Sequence, residues 1–455
     1  MMFMMQKKSI WLTVFMGISM LKKINSKYIE TLFETDSQYS EWFGYYNYDV
    51  INSDATKMLC NRVDFDGRAI TNTDIIELGY YDLGNGEWHH IAVSDSFNWQ
   101  QGAMLQWLPN HQDKVIFNYS DKQKFYSCIV DINTGDKKTI AYPIYCITPD
   151  GKYSISLDYE RSYWCRAYHY QPVVNEELNV QIAEGDGIFR VNLLDDTVER
   201  IVSIRDVLSI DPDDDFNDAK HWFEHIMISP SGSRVAFLHR FSFGGGYITR
   251  LCVADITGKN LQVVSGWRNN DWSHFGWKGD NSFVIYSVKK NRTQASYIKQ
   301  VQKQKKYSII SLINKVVHWP MFRWIKNIFK PKDKYYMLFS FDKEENLFIE
   351  SGRFQEKLLD IDGHPSFTRD GKYMITDSYP DNDGMQRLIV FNTENQKSLL
   401  LGEFKAGLHG NPASCDLHPK LSQNDSYISI DTAYTGKHKM MLFKLNWDYI
   451  KEQID

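Results

Sequence analysis

A chain of 455 residues, 43% of them hydrophobic and 24% charged, has enough apolar material for a large folded core, which excludes a disordered or low-complexity protein. A formal charge of −5 says little by itself, and its distribution along the chain says more. The six cysteines are scattered without CxxC spacing, which suits reduced thiols rather than a disulfide framework.

At the N-terminus, Lys7-Lys8 precede an apolar run from Ile10 to Leu21, closed by Lys22-Lys23. The run is too short to span a bilayer. It resembles the core of a secretion signal, but no small-x-small cleavage site follows, and Met20 offers a second start. Residues 1–40 are read as an N-terminal segment, and a cytoplasmic protein is expected. From residue 41 to 455 a turn-and-strand unit recurs seven times, starting near Asn52, Pro109, Pro149, Pro230, Lys278, Arg369 and Gln423. Turns such as Thr148-Pro149-Asp150-Gly151 suit a tight reversal between antiparallel strands. The runs that follow alternate or stay apolar, as half-buried strands do. Further hairpins over Gly or Asn complete four strands per copy. The expected fold class is all-β: a seven-bladed β-propeller of four-stranded blades, with repeats of the TolB- and WD40-like kind.

Two insertions interrupt the repeat, at 159–187 and 289–334. The first is rich in aromatics and arginine. The second holds thirteen Lys or Arg and one acid, a local charge of about +12 against about −17 for the rest of the chain. Its Ile, Leu, Val, Trp and Phe stand among the basic residues at near-helical spacing. The segment is expected to be partly helical and to bind an anionic membrane surface. The simpler reading is a helical cover on the propeller flank with its lysines in water. Nucleic acid is not expected as a partner, because nothing else in this acidic chain extends the basic patch.

Four histidines share one phase of the repeat. His225, His274, His364 and His418 each stand ten residues before an apolar strand position: Val235, Val284, Met374 and Ile428. Radial stacking carries equivalent positions toward one axis, so these imidazoles are candidates for a shared site. The second strands end in Asp158, His239, Asp377 and Asp431, adding carboxylates and another imidazole. Asp416 lies two residues before His418, so on an extended strand both side chains point the same way. Imidazole and carboxylate together suit a divalent transition metal or general acid–base work. The plain alternative is that these histidines hydrogen-bond between blades.

The segments HIMISP…VAFLHR…TRLCVADITGKN, then DWSHFGW, GHPSF and DLHPKL, resemble the propeller of oligogalacturonate lyases over about residues 95–445. The resemblance implies a cytoplasmic enzyme that cleaves acidic oligosaccharides by metal-assisted β-elimination, with manganese(II) the expected ion. His274 matches the ligand in the family's His-x-x-Trp segment, and His418 the last ligand of its His-Pro-His-Pro segment. Asp416 stands where the family has another histidine. The family's glutamine ligand just upstream has no match in Asn411-Pro412-Ala413-Ser414. His239 matches the family's base, although Arg240-Phe241-Ser242 replaces the Glu-Gly-Pro that follows it. Arg161 is the candidate catalytic arginine. The expected metal set is His274, Asp416 and His418, with His364 or His225 beside them. A non-catalytic scaffold or glycan-binding module in polysaccharide assembly, peripheral to a membrane, is the alternative.

Overall fold

A computed structural model describes residues 21–166, 170, 172–244, 246–290 and 333–455. The protein is a seven-bladed β-propeller: seven antiparallel sheets of four strands follow one another along the chain, one of them extended by a fifth strand. The turn chemistry explains the repeat. Thr148 and Thr368 each bond through Oγ1 to the aspartate two residues on and accept the backbone N–H of the tyrosine that opens the second strand. Ser422 does the same with Asn424 and Tyr427. The fourth turn residue is left-handed, with φ of 71° at Gly151, 81° at Gly232 and 69° at Gly371. Asp425 and Ala55 hold the same conformation in copies whose fourth turn residue is not glycine.

The fold divides into two compact units. One spans Ala141–Gln355 and carries blades 3 to 5. In blade 3 the insertion leaves after Tyr153–Leu157, forms the helix Tyr159–Cys165 and returns at Gly187–Asn192. Blade 4 begins with Lys220–Ile228 and Arg234–Ser242, and blade 5 with Asn270–Gly279 and Ser282–Lys289. The basic insertion leaves blade 5 after Lys289 and rejoins it at Lys334. Its residues 291–332 lie outside the described residues, and so do the expectations attached to them.

The other unit takes in the described residues of Met1–Ile140 and Glu356–Asp455, with blades 1, 2, 6 and 7. Blade 6 contains Ser366–Phe367, Tyr373–Asp377, Met385–Asn392 and Ser398–Lys405. Blade 7 contains Lys420–Leu421, Tyr427–Thr432 and Lys439–Leu445. The fourth strand of blade 7 is Ile29–Glu34, paired antiparallel with Lys439–Leu445. Lys22–Ile24 adds a fifth strand to blade 6 along Ser398–Lys405. Residues 22–34 are therefore part of the propeller, not a separate leading segment. Ile375, Leu388, Val390, Ile428, Ile430, Met441 and Phe443 form one fully buried core across blades 6 and 7, joined by Ile450 and Ile454 of the C-terminal helix. Each such side chain stabilises by roughly 1.5–3 kcal/mol on burial. This core fixes the strand ends that carry the candidate site.

All six cysteines are free thiols. Among the described residues, no helix is long and apolar enough to cross a membrane.

Candidate metal centre

His364 precedes the first strand of blade 6, and Asp416 and His418 precede the first strand of blade 7. Each of the three offers a ligand atom, and these atoms lie within 4.8 Å of one another. Ligands on opposite sides of an ion bonded at about 2.1 Å stand roughly 4.2 Å apart, so small movements would close this group around one cation. The two rings meet edge to face, with centroids 4.3 Å apart. Two imidazoles and one carboxylate make a donor set suited to a divalent transition metal. Among the described residues this is the one group of three or more such donors so placed.

The surroundings tune these groups. Asp377, which ends the second strand of blade 6, accepts the backbone N–H of His364 at 2.7 Å and that of His418 at 3.1 Å, and its oxygens lie 2.9 and 3.0 Å from His364 Nδ1. Burial opposes a charge on His364, but the Asp377 carboxylate outweighs it and holds the imidazole pKa above its ordinary value. Burial likewise works against ionised Asp377, and the His364 ring and the donated N–H groups bring its pKa below the usual carboxylate range. Burial pushes Asp416 up to about 6, moderated by His364. His418 adopts φ of 42°, a left-handed backbone that a non-glycine residue holds only where its surroundings impose it.

Two tyrosines from the loop after Ser40–Trp42 cover the imidazoles. Tyr46 lies 5.0 Å from the His364 ring and Tyr45 lies 5.2 Å from that of His418. Asp431 of blade 7 anchors this loop by accepting the N–H groups of Phe43 and Gly44 at 3.0 and 3.1 Å. Its other partner is Lys420, at 2.9 Å and almost wholly buried. Gln100 comes from the loop before blade 2, bonds the Ser414 carbonyl at 3.0 Å and lowers the proton affinity of Asp416 through its side chain. The resemblance implied a glutamine just upstream of Asp416, whereas Gln100 comes from far away along the chain.

The remaining expected residues belong to the other unit. His225 and His274 pair there with ring centroids 5.6 Å apart. His225 also has a left-handed backbone, at 51°, and its Nε2 lies 3.6 Å from Glu224, a carboxylate that Arg240 engages at 2.5 Å. The repeat thus brings neighbouring histidines together in pairs: His364 joins Asp416 and His418 in one unit, and His225 and His274 meet in the other.

His239 does not face an open pocket. It is fully buried, its ring parallel to that of His221, with Nε2 3.0 Å from His221 Nδ1. His221 Nε2 lies 2.8 Å from the Phe216 carbonyl, which can only accept, so that nitrogen carries the proton. His221 Nδ1 is then the acceptor, and His239 Nε2 donates to it. Desolvation pushes His221 down to about 4 and His239 well below the ordinary imidazole value. Both rings are expected to stay neutral, with unchanging carbon-bound proton shifts in NMR, as pH falls from about 8 to 5.5. The unfolded chain takes up protons near pH 6.5 that the folded pair refuses. The pair's contribution to stability is therefore intact above about pH 6.5 and falls as pH drops toward 4, on the order of 1 kcal/mol per ring by pH 5.5. A ring signal titrating near pH 6.5 in the folded protein would show the pair to be hydrated.

Arg161 is also structural. Its guanidinium donates to the carbonyls of His221, Val180 and Gln181 at 2.7, 2.7 and 3.0 Å, and also to that of Leu178. It is 1% exposed. It ties the blade 3 insertion to the first strand of blade 4, and no donor is left pointing to an open face.

No family profile and no curated protein matches the chain. Among solved structures it is similar to an oligogalacturonate lyase in complex with manganese, at 15% identity and a TM-score of 0.58 over 94% of this chain and 96% of that one. It is also similar to an oligogalacturonate lyase from Vibrio parahaemolyticus, at 13% identity and a TM-score of 0.57 over 94% and 97%. The protein is thus a seven-bladed propeller of the architecture seen in oligogalacturonate lyases, with a candidate metal group in blades 6 and 7.

Proposed function

We propose that this protein is a metal-dependent, carbohydrate-active enzyme that cleaves a uronate-containing oligosaccharide by β-elimination. The observation that supports this reading is the buried His364–Asp416–His418 group, set in a propeller whose structural neighbours include a lyase solved with manganese. Bound there, a divalent cation, manganese(II) in this reading, would supply positive charge against the substrate carboxylate and so acidify the proton alpha to it. The chain's residues do the rest. His364, His418 and Asp416 hold the ion, and Tyr45 and Tyr46 keep water from the imidazole faces. All three are buried, Asp416 at 7% exposure and His364 and His418 at 1% and 2%. In the elimination, a base takes the alpha proton, the carbon–oxygen bond beta to the carboxylate breaks, and a double bond forms between those carbons as the sugar alkoxide leaves. The base lies outside the walled-in His221–His239 pair.

The test is a panel of short uronides followed by ultraviolet absorbance of the conjugated product. Turnover of at least one uronide is expected, lost with a chelator and restored by manganese. If no uronide yields product and no divalent ion changes thermal stability, the enzyme reading fails and a glycan-binding or scaffold propeller takes its place.

A further inference from the structure

We propose that Asp377 is the positioning residue of the metal group, fixing which nitrogen of His364 carries the proton and where the backbone of His418 lies. The proposal rests on His364, Asp416 and His418 being metal ligands. Asp377 is 1% exposed and meets three N–H groups: the backbone donors of His364 and His418, and His364 Nδ1. A carboxylate so surrounded only accepts, so the proton of neutral His364 must sit on Nδ1. The opposite tautomer would set the Nδ1 lone pair against carboxylate oxygens 2.9 and 3.0 Å away. Nε2 is left with its lone pair, the state a metal ligand needs. A carboxylate behind an imidazole orients a ligating histidine in this way and raises its basicity.

The neighbouring blade separates this role from simple fastening. Asp431 occupies the equivalent strand end in blade 7 and also accepts two backbone N–H groups, from Phe43 and Gly44. Its side-chain partner is the ammonium of Lys420, not an imidazole. The backbone clasp is thus common to both blades, while the grip on a ring nitrogen belongs to Asp377. The same clasp holds His418 in its left-handed conformation, so one carboxylate sets two of the three ligands.

Nitrogen-15 NMR of the metal-free wild type, above the titration of the ring, tests the assignment directly. His364, identified by the signals lost in His364→Gln, should show a protonated Nδ1 and a bare Nε2. Manganese titration of Asp377→Asn should give an affinity about 10- to 100-fold weaker than wild type. A wild-type His364 protonated on Nε2, or an Asp377→Asn protein that binds manganese within about twofold of wild type, overturns the proposal. Should Asp377→Asn fail to fold, the wild-type tautomer still decides. Wild type that binds no divalent ion overturns the metal reading itself, and a proton on Nδ1 would then leave the tautomer assignment standing alone.

Discussion

His418→Ala is expected to abolish divalent metal binding and activity together. The substitution removes one of three donors, so the loss of affinity should exceed the roughly 10- to 100-fold typical of an outer partner. In wild type, an ion present at about 100 times its dissociation constant stabilises the folded state by about 2.7 kcal/mol. Thermal unfolding with and without manganese would read that increment, which should vanish in the variant. Asp416→Asn tests the same group with less change of shape. It removes the charge that distinguishes this donor set from an all-imidazole one, and should weaken the ion while leaving metal-free stability near wild type. If His418→Ala keeps a wild-type metal-induced shift, the ion sits elsewhere and the group in blades 6 and 7 is structural.

Asp431→Ala should lower stability by about 3–5 kcal/mol. Lys420 would remain buried at 2% exposure with its carboxylate gone, and the N–H groups of Phe43 and Gly44 would lose their acceptor. A buried pair contributes little when both partners are replaced together, but stranding one charge is costly. The double variant Asp431→Ala with Lys420→Met should therefore recover part of the loss in denaturant unfolding. A single variant within about 1 kcal/mol of wild type would mean that water reaches Lys420. Because the Phe43–Gly44 clasp also places Tyr45 and Tyr46, metal affinity in this variant should fall as well.

The seven blades were legible because their signal is local. A Thr-Pro-Asp-Gly turn carries its own hydrogen bonds and its own left-handed residue, and the strand beside it is marked by alternation. The phase of the four histidines was legible for the same reason. Which of them meet was not, although the order of repeats held a clue: His364 lies one copy before His418, and His225 one copy before His274. The roles of His239 and Arg161 depended on what surrounds them, and neither His221 stacked on the one nor the insertion carbonyls around the other have a sequence mark. Gln100 and the tyrosines after Gly44 reach the site from blades distant in sequence. Lys22–Ile24 and Ile29–Glu34 escaped notice because their partners lie near the other end of the chain. They are also short edge strands with much of their surface in water, so they lack the hydrophobic pattern of a central strand.

The pairing of Ile29–Glu34 with Lys439–Leu445 has a consequence for biosynthesis. The first of these strands leaves the ribosome roughly 400 residues before its partner. At about 5–20 residues per second, the early strand waits roughly 20–80 s before its partner exists. During that time blade 7 cannot be completed, and Lys22–Ile24 likewise waits for blade 6. An unpaired strand is a template for another chain's edge. This one carries Glu30 and Glu34, and Lys22 and Lys23 stand just before it, charges that discourage such pairing. Nascent chains cut short before residue 439 should thus leave Ile29–Glu34 open to proteases and to chaperones, and protection of that strand should arrive only once Lys439–Leu445 has been made.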